Sequence, residues 1–386
     1  MRSTTVAATS SRPSTALCLS GILALSLPRI ARAEDSIDYK FENYQEENGR
    51  MHITAHYVRA EKQIGDATRI SVQGVIDTIT GATPTGQAPA PGSDQVPLTE
   101  MHDVRRGENL EVAHSFGAHE VSIQLSYSKE SDYVSRGVAL TDLINFNQKN
   151  TILQIGYAHN ADLNQAHFFA IPRSKSVDDG IIGVSQVLDP RTTLAVDLSI
   201  GRDRGYQGDP YRVYQIDIVP GIPLPYEENR PHSRTKLTLF TRCTHFFDAA
   251  HGSIDATARF YHDTWGINST TLELSWLQKL GTHLVLIPSY RWYAQSAASF
   301  YHPTLDGTGI DPTEFGTGLA PFYAVDYRLS KLQATTAGLK LVANLGAHLH
   351  ADVSFQHYVM RGRDGITPQS SFPTANITSV GLGWTF

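Results

Sequence analysis

Cysteine is nearly missing: the 386-residue chain has two, Cys18 and Cys243. Cys18 falls inside an export signal described below, and a single remaining cysteine builds neither an intramolecular disulfide framework nor a cysteine metal cage. Charge is sparse at 18% of residues, and methionine is limited to 4. Beyond the first thirty residues no run of 18 apolar residues occurs, which excludes ordinary transmembrane helices. No repeat period is evident, so the signature of a solenoid or propeller is missing. The hydrolase motif G-x-S-x-G is also absent.

Basic residues are the minority, 32 Lys and Arg against 38 Asp and Glu. Arg2, Arg12, Arg29 and Arg32 precede every acidic residue, so the chain after position 33 carries a net charge of −10. That balance disfavours nucleic acid as a partner.

What is abundant is glycine and aromatic residues: 30 Gly, 17 Tyr and 15 Phe. This composition favours strands and turns over helices. The N-terminus has the three parts of an export signal. Arg2 and Arg12 form a basic region, "ALCLSGILALSL" (Ala16 to Leu27) an apolar one, and Ala31-Arg32-Ala33 a small-x-small cleavage pattern. Residues 1–33 are therefore read as a signal peptide cleaved near Ala33, and 34–386 as the exported domain.

Within that domain the recurring signal is period-two alternation. In "EVSIQLSYS", Val121, Ile123, Leu125 and Tyr127 point one way and Glu120, Ser122, Gln124, Ser126 and Ser128 the other. Leu194, Val196, Leu198 and Ile200 repeat it, as do Leu272, Leu274 and Trp276, and Ala351, Val353 and Phe355. Seven short turns alternate with eight connections on the opposite side. Five of the eight are long: residues 81–104, 160–176, 204–233, 296–328 and 361–373. Fifteen connections predict sixteen strands of about ten residues. That is the description of an all-β, up-and-down transmembrane barrel in a bacterial outer membrane. In hydrocarbon every backbone N–H and C=O must be paired internally, so a sheet survives there only as a closed cylinder.

The last eight residues, "SVGLGWTF", fit the same scheme. Val380, Leu382, Trp384 and Phe386 share the outward face, and Ser379, Gly381, Gly383 and Thr385 the inward one. Ser379, Gly381, Trp384 and Phe386 resemble the signal that bacterial barrels present to the outer-membrane assembly machinery.

The face opposite the apolar one carries both signs of charge. Tracing alternation places Lys40, Arg69, Arg242, Arg259, Arg291 and Lys340 inside, with Asp77, Glu120, Asp197, Asp255, Glu273 and Asp352. Two readings stand at this point. Opposed charges across a wet pore orient and filter polar solutes; alternatively they pair with each other and brace a closed barrel. Metal sites lack the spacing they need. His52 and His56 lie about 13 Å apart along a strand and cannot share an ion. His348 and His350 need further ligands, and "LDGTGIDPTE" (Leu305 to Glu314) lacks the spacing of a defined Ca²⁺ loop. No cofactor, metal or catalytic residue is assigned.

Three stretches resemble a known family: "DTITGATPTG" (Asp77 to Gly86), "SYSKESDYVSRGVAL" (Ser126 to Leu140) and "NQKNTILQIGY" (Asn147 to Tyr157). "YQEENGR" precedes them and "DYRLSKL" (Asp326 to Leu332) follows. Together they are similar to an uncharacterised family of exported bacterial proteins, a domain of unknown function expected to form outer-membrane barrels. The resemblance spans nearly the whole exported chain and supplies an architecture rather than a reaction. It also implies association with secreted flavin-transferring and thioredoxin-like proteins, hence a periplasmic or surface redox partner. Within these stretches, Lys129, Glu130, Asp132, Tyr133 and Arg136 are expected to meet at one rim, as a salt-bridged latch or as a solute- or partner-binding site.

The functional expectation is a non-enzymatic, porin-like passage for small polar solutes, set in outer-membrane lipid. A scaffold in a cell-surface redox assembly and an outer-membrane lipid hydrolase are the alternatives.

Overall fold

The computed structural model describes residues 35–166, 171–209, 213–219, 222–305, 308–311 and 321–386. The signal peptide read at 1–33 lies outside them, as does part of the Leu305–Glu314 loop.

Sixteen antiparallel strands close into one barrel. The first nine are β1 (Ser36–Glu46), β2 (Met51–Ile64), β3 (Thr68–Pro84), β4 (Leu98–Phe116), β5 (His119–Lys129), β6 (Tyr133–Phe146), β7 (Thr151–Asn164), β8 (Arg173–Asp189) and β9 (Thr192–Gly205). A separate two-stranded hairpin follows, β10 (Val213–Val219) with β11 (Ile222–Glu227). The barrel resumes with β12 (Ser233–Phe247), β13 (Gly252–Asp263), β14 (Asn268–Leu280), β15 (Leu284–Gln295), β16 (Leu332–Asn344), β17 (Leu349–Gly362) and β18 (Thr374–Thr385). β18 returns to β1, in register from Ser36↔Thr385 to Glu46↔Ala375, so the barrel closes without an edge strand.

Alternation explains the wall. Val72, Ile76, Ile123, Leu125, Leu140, Ile182, Leu198, Leu272, Val353 and Val380 are large, apolar and exposed, and all lie on the outer face. Such a continuous apolar exterior is unstable in water and is the complement of lipid tails. Near the short-turn end the outer face changes to aromatics: Phe116, Phe146, Phe247, Trp276 and Trp384. Histidines stack on these rings, as His119 does on Phe116 and His348 on Trp384. His348 and His350 therefore serve different surroundings, since His350 turns inward to Asp38 at 3.3 Å.

The strands run past the ends expected from sequence at the long-loop side. The connection between β3 and β4 is expected at 81–104, but their ladder continues to Pro84↔Leu98. There the two strands form a ribbon above their neighbours, where no lipid forces an alternating pattern. Gly81 marks the bend: its φ is 134°, and an added Cβ would run into the carbonyl oxygen of Arg50. The β10–β11 hairpin inside the 204–233 connection was likewise expected to be loop.

Candidate functional site

The inner wall is built from the polar half of each strand. All twelve charged residues assigned to it, Lys40, Arg69, Asp77, Glu120, Asp197, Arg242, Asp255, Arg259, Glu273, Arg291, Lys340 and Asp352, alternate with outward apolar or neutral neighbours. Eight of them have a partner. Arg69 reaches Glu111 (3.1 Å) and Glu120 (3.4 Å), Lys40 reaches Glu42 (2.6 Å), and Lys340 reaches Asp352 (3.0 Å). Arg242 clasps Asp255 through two guanidinium nitrogens, and Arg105 pairs with Asp77. Apart from Lys40 and Glu42, which share β1, these pairs brace the wall sideways, strand to strand.

Four of the twelve have no ion pair among the described residues: Asp197, Arg259, Glu273 and Arg291. Asp197 lies against Gly183, where any Cβ would overlap its carboxylate oxygen. The other three are neighbours on β13, β14 and β15, with Glu273 directly opposite Arg291 in register. Arg259 is exposed although its side chain faces inward, while Phe260, the next residue, is 48% exposed on the outside.

Above this level the barrel mouth narrows. The described end of the β15–β16 connection turns inward: in its 3₁₀ turn, Tyr327–Leu329, Tyr327 packs on the inner face of β1 and β16–β18, and Leu329 packs with Trp265, Ile267 and Phe300. Tyr327 meets Phe372 edge-on, with ring centroids 5.4 Å apart, and both contact the cluster of Tyr44, Leu332, Tyr358, Met360 and Ile377. Apolar burial thus holds this turn against the inner wall.

A buried charge network fixes that loop to the two others beside it. Glu228 accepts the backbone N–H of Val325 (2.9 Å) and Asp326 (3.0 Å) on one carboxylate oxygen. Arg230 donates to Glu228 (Nε, 2.7 Å) and to Asp326 (3.1 Å). Arg328 donates to both carboxylate oxygens of Asp326 (2.9 and 2.7 Å) and pairs with Asp209. Burial opposes the charge on Arg230 and Arg328, but the surrounding carboxylates outweigh it and hold both guanidinium groups above their ordinary pKa. The sequence reading did not single out this network, although Asp326 and Arg328 fall in the stretch "DYRLSKL".

The five rim residues do not gather in one cluster; they divide between the two faces of the wall. Glu130, Asp132 and Tyr133 are buried, whereas Lys129 and Arg136 lie within strands and are exposed on the outer face. Glu130 and Asp132 instead gather with Asp103, their carboxylate oxygens all within 4.8 Å of one another. Asp103 caps the turn by accepting the N–H groups of Val104 (2.7 Å) and Ser131 (3.1 Å). The expectation placed Arg136 at the edge of a loop, but β6 begins at Tyr133, and alternation then decides its face.

The four residues of the C-terminal pattern lie on or just beyond β18. Ser379 and Gly381 are inward, Gly381 with no room for a side chain beside Asp352, and Trp384 and Phe386 are exposed outside.

With this geometry in view, comparison with known proteins is informative about kinship. The sequence matches the family described as "Protein of unknown function (DUF3570)" over residues 7–171 and 165–371. The chain belongs to that family. No curated protein matches it. Among solved structures, a bacterial polysaccharide outer membrane secretin is 10% identical with a TM-score of 0.49, covering 92% of this chain and 99% of that one. OmpT of Vibrio cholerae is 9% identical with a TM-score of 0.44, covering 91% and 97%. The siderophore receptor PirA of Pseudomonas aeruginosa is 8% identical with a TM-score of 0.45; 92% of this chain aligns, spanning 62% of the receptor.

Proposed function

We propose that this protein is a porin-like barrel of the bacterial outer membrane that admits small polar solutes and performs no covalent chemistry. The apolar exterior between aromatic and polar rims supports the location, because only a lipid surround satisfies it. The observation that carries the passage is the pair Arg259 and Phe260, successive residues exposed on opposite faces of one wall. A barrel of sixteen strands is wide enough to keep water inside, and an inward arginine in contact with solvent is what such a lumen contains.

Arg259 and Arg291 face the lumen as cations without an ion pair among the described residues, with Glu273 between their strands. Fixed charges of this kind orient polar solutes and set ion preference. The inward loop at the mouth restricts size. The hydrolase alternative gains no support, since among the described residues histidine side chains bond to Thr, Asn, Tyr, Asp and backbone partners, none of them serine. The redox-scaffold alternative rests on the family resemblance.

Swelling of liposomes containing the purified barrel tests the proposal. Rates with sugars and amino acids of increasing size are expected to fall steadily with size. Swelling no faster than in protein-free liposomes contradicts a passage.

A further inference from the structure

The outer face of the barrel is not uniform around its circumference. At the long-loop ends of β12–β16, β18 and β1–β3 the outward positions within the strands hold no Lys or Arg, as at Thr235, Thr270, Gln333, Asn376, Gln45 and Thr78. β17 adds Arg361. On β4–β9 the same level holds Arg106, Lys129, Arg136, Arg202 and Arg204, all exposed.

Three of these cations are crowded together. Arg106 is directly opposite Lys129 in the β4–β5 ladder, and Arg136 is opposite Tyr127, one diagonal step from Lys129. Direct pairs place their Cβ atoms about 5 Å apart and diagonal ones about 7–8 Å, and like charges facing each other across a ladder are destabilising. Among the described residues none of the three takes an ion pair or side-chain hydrogen bond. The nearest acid on that face is Glu108, opposite Tyr127. Asp178, farther round, is already held by Tyr157 (2.7 Å), His159 (2.9 Å) and Arg204 (3.5 Å).

Below the three cations, past Glu108 and Tyr127, lie Leu110, Leu125, Val138 and Leu140, exposed and aliphatic. An occupant must therefore be anionic at the top and hydrocarbon beneath. A second copy of this face is the wrong partner, because it would bring cation to cation. We propose that Arg106, Lys129 and Arg136 bind a phosphate of the phosphorylated glycolipid that forms the outer leaflet, with its acyl chains on the aliphatic rows. Two guanidinium forks and an ammonium suit phosphate oxygens. The site rests on the outer-membrane reading but goes beyond it, since a porin needs no specific lipid.

The test uses the folded full chain in detergent and native mass spectrometry with two probes, bisphosphorylated lipid A and its dephosphorylated form. Wild type is expected to retain the phosphorylated lipid at least about tenfold better, and the triple variant Arg106→Gln/Lys129→Gln/Arg136→Gln to lose that preference while Arg361→Gln keeps it. Lys129→Gln alone, expected to lose preference several-fold, serves if the triple variant does not fold. Equal retention of both lipids by wild type, or an unchanged preference in the folded variants, overturns the site. Displacement of the lipid by millimolar inorganic phosphate also overturns it, since the acyl chains would then contribute nothing. Wild type that fails to enter phosphatidylcholine liposomes contradicts the membrane reading itself; entry without lipid preference contradicts this site alone.

Discussion

Trp384 on β18 lies directly opposite Ile37 on β1, and both side chains are about half exposed on the outer face. This pairing closes the cylinder, and the backbone N–H of Phe386 extends it by donating to Asp35 (3.0 Å). Deleting Phe386 is expected to lower the yield of folded barrel several-fold, by removing both an exposed aromatic anchor and the last closing hydrogen bond. Electrophoresis with and without boiling measures the folded fraction. An unchanged fraction contradicts the role given to this end.

Leu198 and Ser199 are neighbours on β9 that face lipid and lumen respectively. Leu198→Arg is expected to cost about 2–4 kcal/mol near the bilayer midplane, while Ser199→Arg, beside the inward Asp197, is expected to cost little. Urea titration of refolded barrels in liposomes separates the two. Equal costs contradict the assignment of faces.

Arg328 and Arg230 hold the inward loop through Asp326, Asp209 and Glu228. Removing one partner of a buried ion pair costs about 3–5 kcal/mol. Arg328→Ala is therefore expected to free the loop without opening the wall. Faster protease cleavage between residues 296 and 331, with unchanged boiling resistance of the barrel, is the expected result. Loss of both together contradicts a loop that is separable from the wall.

Arg259 and Arg291 both face inward on β13 and β15, near Glu273 of the strand between them. The variant Arg259→Ala/Arg291→Ala is expected to move ion preference toward cations, because Glu273 and Asp197 remain. The reversal potential under a salt gradient reads this directly, and no shift in that direction contradicts an aqueous path past these residues.

Sequence alone made the wall legible wherever lipid enforces it. Leu272, Leu274 and Trp276 have no other way to alternate with Thr271, Glu273 and Ser275, so the sixteen strands emerged from pattern. Legibility ended at the rim, for the same physical reason. Above the membrane β3 and β4 remain paired through Gly81 and Pro84, but neither face is apolar there, and turn-forming residues read as loop. The five rim residues show how much one boundary matters. With β6 starting at Tyr133, Arg136 turns outward, while Asp132 turns toward Asp103, a partner about thirty residues earlier that spacing could not reveal. The loop clasp joins Asp209, Glu228 and Arg230 to Asp326 and Arg328, contacts of long range that no local pattern encodes.

Recording from a planar bilayer containing the purified, boiling-resistant barrel tests the central claim most directly. The account predicts discrete, stable conductance steps whose size grows when Arg328→Ala frees the mouth. A correctly folded barrel that inserts yet carries no current at any voltage, with Arg328 or without it, contradicts the passage.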